Sequence, residues 1–258
     1  MEKKAYCETH SLEERMAQCA RCYNCGVPFC QANIELEGKQ FGCPLHNLIP
    51  EWNDLLRKGN VRYALERLLR TNWFPEFTGR VCPAFCEQAC TRKNVDGAVT
   101  VRENELYLIE YAFEHGWMQP SPPAVRSGKK IAVVGSGPVG LSAAYYLNRR
   151  GHEVTVFEKD DEPGGSLLGN ALEKRLPKEI IRRRIALMEA EGVRFVSKTE
   201  ISENTAAKLK EQFDLVLFCT GKERKRDARS FVCYAIASGK HTAAEADRTL
   251  MGYTGIEE

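Results

Sequence analysis

Eleven cysteines punctuate this chain of 258 residues, and nine of them fall between Cys7 and Cys90. Their order is Cys22-x2-Cys25-x4-Cys30, then Cys43-Pro44, then Cys82-Pro83-x2-Cys86-x3-Cys90. Three thiolates so close in sequence converge on one centre only if the loop between them curls around it. A cubane iron–sulfur cluster, with a further ligand from afar, suits that geometry. Zinc competes, but structural zinc prefers paired C-x2-C knuckles, and only Cys22/Cys25 or Cys19/Cys22 makes such a pair. Cys82, Cys86 and Cys90 recur at helical i, i+4, i+8 spacing, which zinc modules do not use. Buried structural thiols are the third reading. The pattern favours iron–sulfur over zinc.

A second constellation lies downstream. Gly135-Ser136-Gly137-Pro138-Val139-Gly140 leaves a run of apolar residues and enters a helical pattern. In such a G-x-G-x-x-G the glycines allow a tight turn and let backbone approach a pyrophosphate, which the helix N-terminus attracts. Glu158 ends the next apolar run about 20 residues on, where an acid holds adenosine ribose hydroxyls and disfavours a 2′-phosphate. NAD or FAD is therefore expected here over NADP. Gly164-Gly165 leans the choice to FAD, because flavoproteins need backbone close to the cofactor at that point. An unoccupied strand–turn–helix is the competing reading.

The elements that must position these groups change rhythm along the chain. Helical period marks Leu48–Leu56, Val61–Leu69 and Val101–Phe113 in the cysteine-rich part, with Gly116 as a stop. Met118-Gln119-Pro120-Ser121-Pro122-Pro123 reads as an extended linker and domain boundary. Beyond it, β-branched runs at Lys130–Val134, Glu153–Phe157, Val193–Val196 and Asp214–Cys219 alternate with helices at Pro138–Arg150 and Pro177–Glu191. That alternation predicts a doubly wound parallel α/β sheet, closed by a last helix from Phe231 to Met251. On pattern alone Glu105 is a surface residue of the third helix. His10, His46, His115, His152 and His241 are scattered singly and read as structural, and Trp52, Trp73 and Trp117 as core.

Composition narrows the class. With 37 Lys+Arg against 35 Asp+Glu, the net charge of +2 gives no footprint for nucleic acid. No apolar stretch is long enough to span a membrane. The opening Met1–Cys7 runs into polar sequence without a secretory signal, so a reducing, cytoplasmic setting is expected, where dense cysteine points to metal or redox chemistry.

Taken together, these residues resemble the small (β) subunit family of glutamate synthase. The same module occurs in the N-terminal half of dihydropyrimidine dehydrogenase and in the large subunit of NADH-dependent ferredoxin:NADP oxidoreductase. The resemblance is carried by Cys22-Tyr23-Asn24-Cys25-Gly26-Val27-Pro28-Phe29-Cys30, by Gly42–Asn53, by Phe74–Pro83, by Gly97–Thr100 and by the nucleotide motif. It implies a helical domain over residues 1–119 with two [4Fe-4S] clusters, followed over 120–258 by a Rossmann-like FAD-binding domain. Carried over by position, one cluster takes Cys22, Cys25, Cys30 and Cys90; the other takes Cys43, Cys82, Cys86 and Glu105. Cys7, Cys19, Cys219 and Cys233 match no ligand and read as structural. FAD falls to Gly135, Gly137, Pro138, Gly140, Glu158, Lys159, Gly164, Gly165, Thr220, Gly221 and Asp227.

The chain departs from that family after Cys219-Thr220-Gly221. Members insert a nicotinamide-nucleotide domain there, whereas here the five basic and acidic residues Lys222–Arg226 lead straight to Asp227 and the final segment. The stretch Gly165-Ser166-Leu167-Leu168-Gly169-Asn170-Ala171 also differs where members cover the flavin ring. The expectation is an electron-transfer subunit of a larger oxidoreductase complex, with no catalytic acid, base or nucleophile of its own. Two alternatives are a dehydrogenase subunit completed by a nicotinamide domain on another chain, and a docking scaffold with an empty flavin site.

Overall fold

The computed structural model describes residues 10–169, 171–220 and 231–257. Two compact units divide the chain: one is built from the residues up to Met118 with Phe231–Cys233, the other from Gln119 onward apart from those three.

The first unit is helical. Its elements are α1 (Leu12–Ala20), a hairpin of β1 (Ile34–Leu36) and β2 (Lys39–Phe41), α2 (Ile49–Arg57), α3 (Val61–Leu69), α4 (Pro75–Val81), α5 (Phe85–Gln88) and α6 (Val101–Glu114). A capping box starts α1: Glu14 N–H donates to Ser11 Oγ at 3.2 Å, and Ser11 N–H donates to the Glu14 carboxylate at 3.1 Å. Val61, Ala64, Leu65, Leu68 and Leu69 recur at helical period and are buried, so α3 turns one apolar face inward. They join Trp52, Leu56, Leu108 and Ile109 in the core, and Cys22, Cys30, Cys43, Cys86 and Cys90 pack at its margin. The cysteines thus sit where apolar packing can hold them and still leave sulfur available.

Two expectations change here. Cys82, Cys86 and Cys90 do not share a helix face, because the chain leaves α4 at an extended Cys82 and turns through Ala84 at φ 58°. Only Cys86 lies within α5, and Cys90 is extended again. Trp117 is no core residue: it is 37% exposed and meets the Tyr111 ring edge-on.

The second unit alternates strand and helix: β3 (Lys130–Val134), α7 (Pro138–Arg149), β4 (Glu153–Phe157), α8 (Lys178–Ala190), β5 (Arg194–Val196), α9 (Glu203–Gln212), β6 (Leu215–Phe218) and, from Tyr234 on, α10 (Val232–Met251). The four strands are parallel in the order β5-β4-β3-β6. In β3 both faces are covered: Ala132 and Val134 pack with Leu209, while Ile131 and Val133, pointing the opposite way, are fully buried. The His152 ring is held between Ser127 Oγ at 2.8 Å and Asp247 Oδ1 at 2.9 Å. Among the described residues no helix is long and apolar enough to cross a membrane.

One crossing in the helical unit is unusually close. A Cβ on Gly79 of α4 would stand 2.7 Å from Leu106 Cβ and 3.1 Å from Leu106 Cα of α6. Gly79→Ala should therefore destabilise the protein by about 1–3 kcal/mol through forced separation of the two helices. A urea melt followed by far-UV circular dichroism measures this, and an unchanged midpoint would refute the tight crossing.

Candidate functional site

In the helical unit the thiols fall into two sets. Cys22 is pushed up by burial and by the neighbouring Cys25 and Cys90. Cys30 is pushed up to about 12 by burial and then by Cys22, Cys90 and Cys25. These four therefore share one neighbourhood, although Cys90 comes from more than fifty residues downstream. A glycine makes the turn into the second set: Gly42 has φ 81°, and a Cβ there would collide with the Ala32 carbonyl. Cys43 follows, pushed up to about 12 by burial, with Cys82 and Glu105 adding to it. Cys86 is raised by burial, then by Cys43 and Cys82. Cys82 runs the other way: a hydrogen bond from Cys233 of the same unit holds its thiol down against burial, aided by Ala84 N–H at 3.4 Å.

Glu105 belongs to the second set and is no surface residue: it is 7% exposed. Burial lifts its carboxyl to about 8, opposed by the Thr78 hydroxyl and raised further by Cys82. Thr78 Oγ1 and Asn72 Nδ2 (2.7 Å) both donate to Oε1. Sequence reasoning missed Asn72 and Thr78, whose polarity inside an otherwise buried segment was the available signal. Among the described residues no three His, Cys, Asp or Glu close on a single metal ion. Mutually repelling thiols need a cationic centre to be deprotonated together, and a thiolate-ligated iron–sulfur cluster supplies one. Residues and group fit.

Cys19 stands apart as a buried thiol hydrogen-bonded to Asn53 and Asn104. Cys219 lines the cavity of the second unit, its thiol pushed up to about 11 by burial. Cys7 lies outside the described residues.

In the second unit a cavity of about 740 Å³ opens at the carboxyl ends of β3, β4 and β6. Gly135, Gly137, Pro138, Glu158, Lys159, Gly165 and Thr220 line it, with Ala235, Ser238 and Thr242 from α10. Gly140 and Gly164 do not line it but shape it. A Cβ at Gly140 would stand 1.9 Å from the Gly135 carbonyl, so this glycine seats α7 against the β3 turn. Gly137 is the opposite case: nothing lies within 4 Å of its missing Cβ. That clearance sits beside the α7 N-terminus, which no side chain caps, and the pair makes an anion cradle suited to a dinucleotide pyrophosphate. Gly221, Asp227 and the segment Lys222–Arg226 lie outside the described residues, as does Asn170.

Ser136, a variable position of the motif, ties the site together. Its N–H donates to Glu158 Oε2 at 3.0 Å, its hydroxyl donates to the same oxygen, and Gly164 N–H donates to its Oγ at 2.8 Å. Burial pushes Glu158 up, but these bonds and Asp160 N–H outweigh it and hold the carboxyl below its usual 4.5. Ser136→Ala should lower stability by about 1–3 kcal/mol at neutral pH. A depressed carboxyl stabilises above pH 4.5 and loses that contribution as the pH falls through its folded value, so the gap between the two proteins should narrow in acid. Equal urea midpoints at neutral pH would refute the tie.

Comparison with known proteins agrees with this layout. Residues 2–117 match the family described as "Dihydroprymidine dehydrogenase domain II, 4Fe-4S cluster", and residues 133–188 match an NAD(P)-binding Rossmann-like domain. The small chain of the NADPH glutamate synthase of Bacillus subtilis is 52% identical over 87% of this chain and 46% of its own length. That of Mycobacterium tuberculosis is 45% identical over 85% and 43%, and the NADH glutamate synthase of Saccharomyces cerevisiae 46% identical over 81% and 10%. The chain spans about half the length of the small chains it matches. Over most of its own length, a helical iron–sulfur domain followed by a Rossmann-like domain, it is a homologue of the glutamate synthase small chains.

Proposed function

We propose that this chain is a FAD- and iron–sulfur-containing electron-transfer subunit of a larger oxidoreductase complex. The observation that carries the reading is the sorting of seven cysteines and one buried carboxyl into two sets, each drawn from distant parts of the sequence. Cys22, Cys25, Cys30 and Cys90 would hold one [4Fe-4S] cluster, and Cys43, Cys82, Cys86 and Glu105 the other. Gly135, Gly137 and Pro138 would receive the FAD pyrophosphate, with Glu158 and Lys159 at the adenosine end and Thr220 beside it. Gly221 and Asp227, by position in the sequence, complete the flavin set.

When bound, a flavin exchanges electrons in pairs or singly and clusters exchange them one at a time, so together they convert between the two modes. The protein's part is to hold its ligands in place and to keep water away from them. Glu105 is an oxygen donor among sulfurs, harder than thiolate, and would give its cluster a different potential from the all-cysteine one. A ten-residue connection, 221–230, joins Thr220 to Phe231, too short for a nicotinamide-binding fold. The chain would then exchange electrons with a partner, as the word "small chain" in its relatives' names suggests. The ten described cysteines are all free thiols, and a reducing, cytoplasmic setting suits them.

Anaerobic purification tests this directly. We expect about eight irons, as many acid-labile sulfides and about one FAD per chain, with a visible spectrum that NADPH alone does not bleach. Cys43→Ser should lower iron to about four per chain while leaving flavin unchanged. Iron without flavin would favour the scaffold, and zinc in place of iron would overturn the proposal.

A further inference from the structure

Asn53 of α2 is fully buried, and its two amide ends meet different surroundings. Oδ1 accepts twice, from the Cys19 thiol at 3.0 Å and from Asn104 Nδ2 at 3.2 Å. Asn104 Nδ2 also donates to Cys19 Sγ at 3.2 Å, and Arg15 donates to Asn104 Oδ1 at 3.5 Å. This network fixes which way the Asn53 amide faces. Turned over, it would set Nδ2 against Asn104 Nδ2, donor against donor, and strip Cys19 of its acceptor.

With Oδ1 committed, Nδ2 is left buried and without a hydrogen-bond partner among the described residues. Buried donors are rarely orphaned, because the lost hydration is not replaced. The amide lies beside Cys22. It is a donor waiting for a stronger acceptor than a neutral thiol.

We infer that Asn53 is a tuning residue, whose Nδ2–H donates to the Cys22 sulfur once that sulfur is a cluster thiolate, and so raises the potential of the cluster held by Cys22, Cys25, Cys30 and Cys90. The inference rests on the reading of Cys22 as a ligand given above. Its physical basis is general: a donor to ligand sulfur favours the more negative, reduced state. In the second set a carboxylate replaces a thiolate, and Asn72 and Thr78 donate to that carboxylate.

The test is a redox titration of the full, cluster-loaded chain followed by electron paramagnetic resonance. The signal of the Cys22 set is assigned as the one that survives in Cys43→Ser. In Asn53→Leu we expect it to move to lower potential by about 59 mV, a tenfold change in the one-electron equilibrium, while the other signal stays. A second measurement needs no substitution. With asparagine labelled by nitrogen-15 at the side-chain amide only, pulsed resonance on the reduced wild-type protein should detect nitrogen coupled to the Cys22-set spin. Clusters present with an unshifted potential, or without that coupling, would overturn the inference alone. A wild-type chain that assembles no cluster would overturn the underlying reading instead.

Discussion

A helix buried on nearly every side has to satisfy its own polar side chains from within, and α6 is that helix. Asn104, Glu105 and Glu110 are all buried among Leu106, Leu108, Ile109 and Ala112. Consecutive residues on a helix diverge by about 100°, so Asn104 and Glu105 address different neighbours. Asn104 meets Cys19 and Asn53 beside the first thiol set, and Glu105 meets Asn72 and Thr78 beside the second. Glu110 is paired with Arg80 at 2.9 Å. One rod thus fixes the polar groups that flank both sets. The sets need no direct link to each other to keep their spacing.

The two units solve the problem of holding a cofactor differently. In the helical unit, sulfur is supplied by loops and short turns that lean on an apolar core, so position comes from packing behind the ligand. In the Rossmann-like unit, position comes from closeness of backbone. Gly140 lets α7 approach the β3 turn, and a Cβ on Gly165 would stand 2.9 Å from Gly137 Cα, so the two glycine loops touch. Gly239 does the same for α10, where a Cβ would stand 2.3 Å from the Val139 carbonyl. Ser142 Oγ, donating to the Ile236 carbonyl at 2.8 Å, fastens that approach.

Much of this was legible in residue types. The limits of α3, β3 and β4 agree with the periods read from Val61–Leu69, Lys130–Val134 and Glu153–Phe157, because strong alternation or a strong apolar stripe leaves few other solutions. The β1–β2 hairpin was not read. Its strands are three residues each, too short for alternation to register, and its only cue was Glu37-Gly38, where both residues take positive φ in a tight turn. Glu105 was readable only through a family resemblance. Burial of both faces of α6 is a tertiary fact that a helical period cannot carry. Ser136 was hidden for a related reason: the motif specifies glycines by steric need, whereas the bonding of the residue between them depends on where β4 delivers Glu158.

The Ser136 tie also bears on binding. Ser136, Glu158 and Gly164 are bonded to one another by folding alone. A nucleotide entering the cavity meets a loop whose conformational entropy has already been removed. Binding there would lose little freedom at this edge. The same bonds occupy part of the acceptor capacity of Glu158, so a ribose there would share the carboxylate with the protein backbone rather than claim it whole.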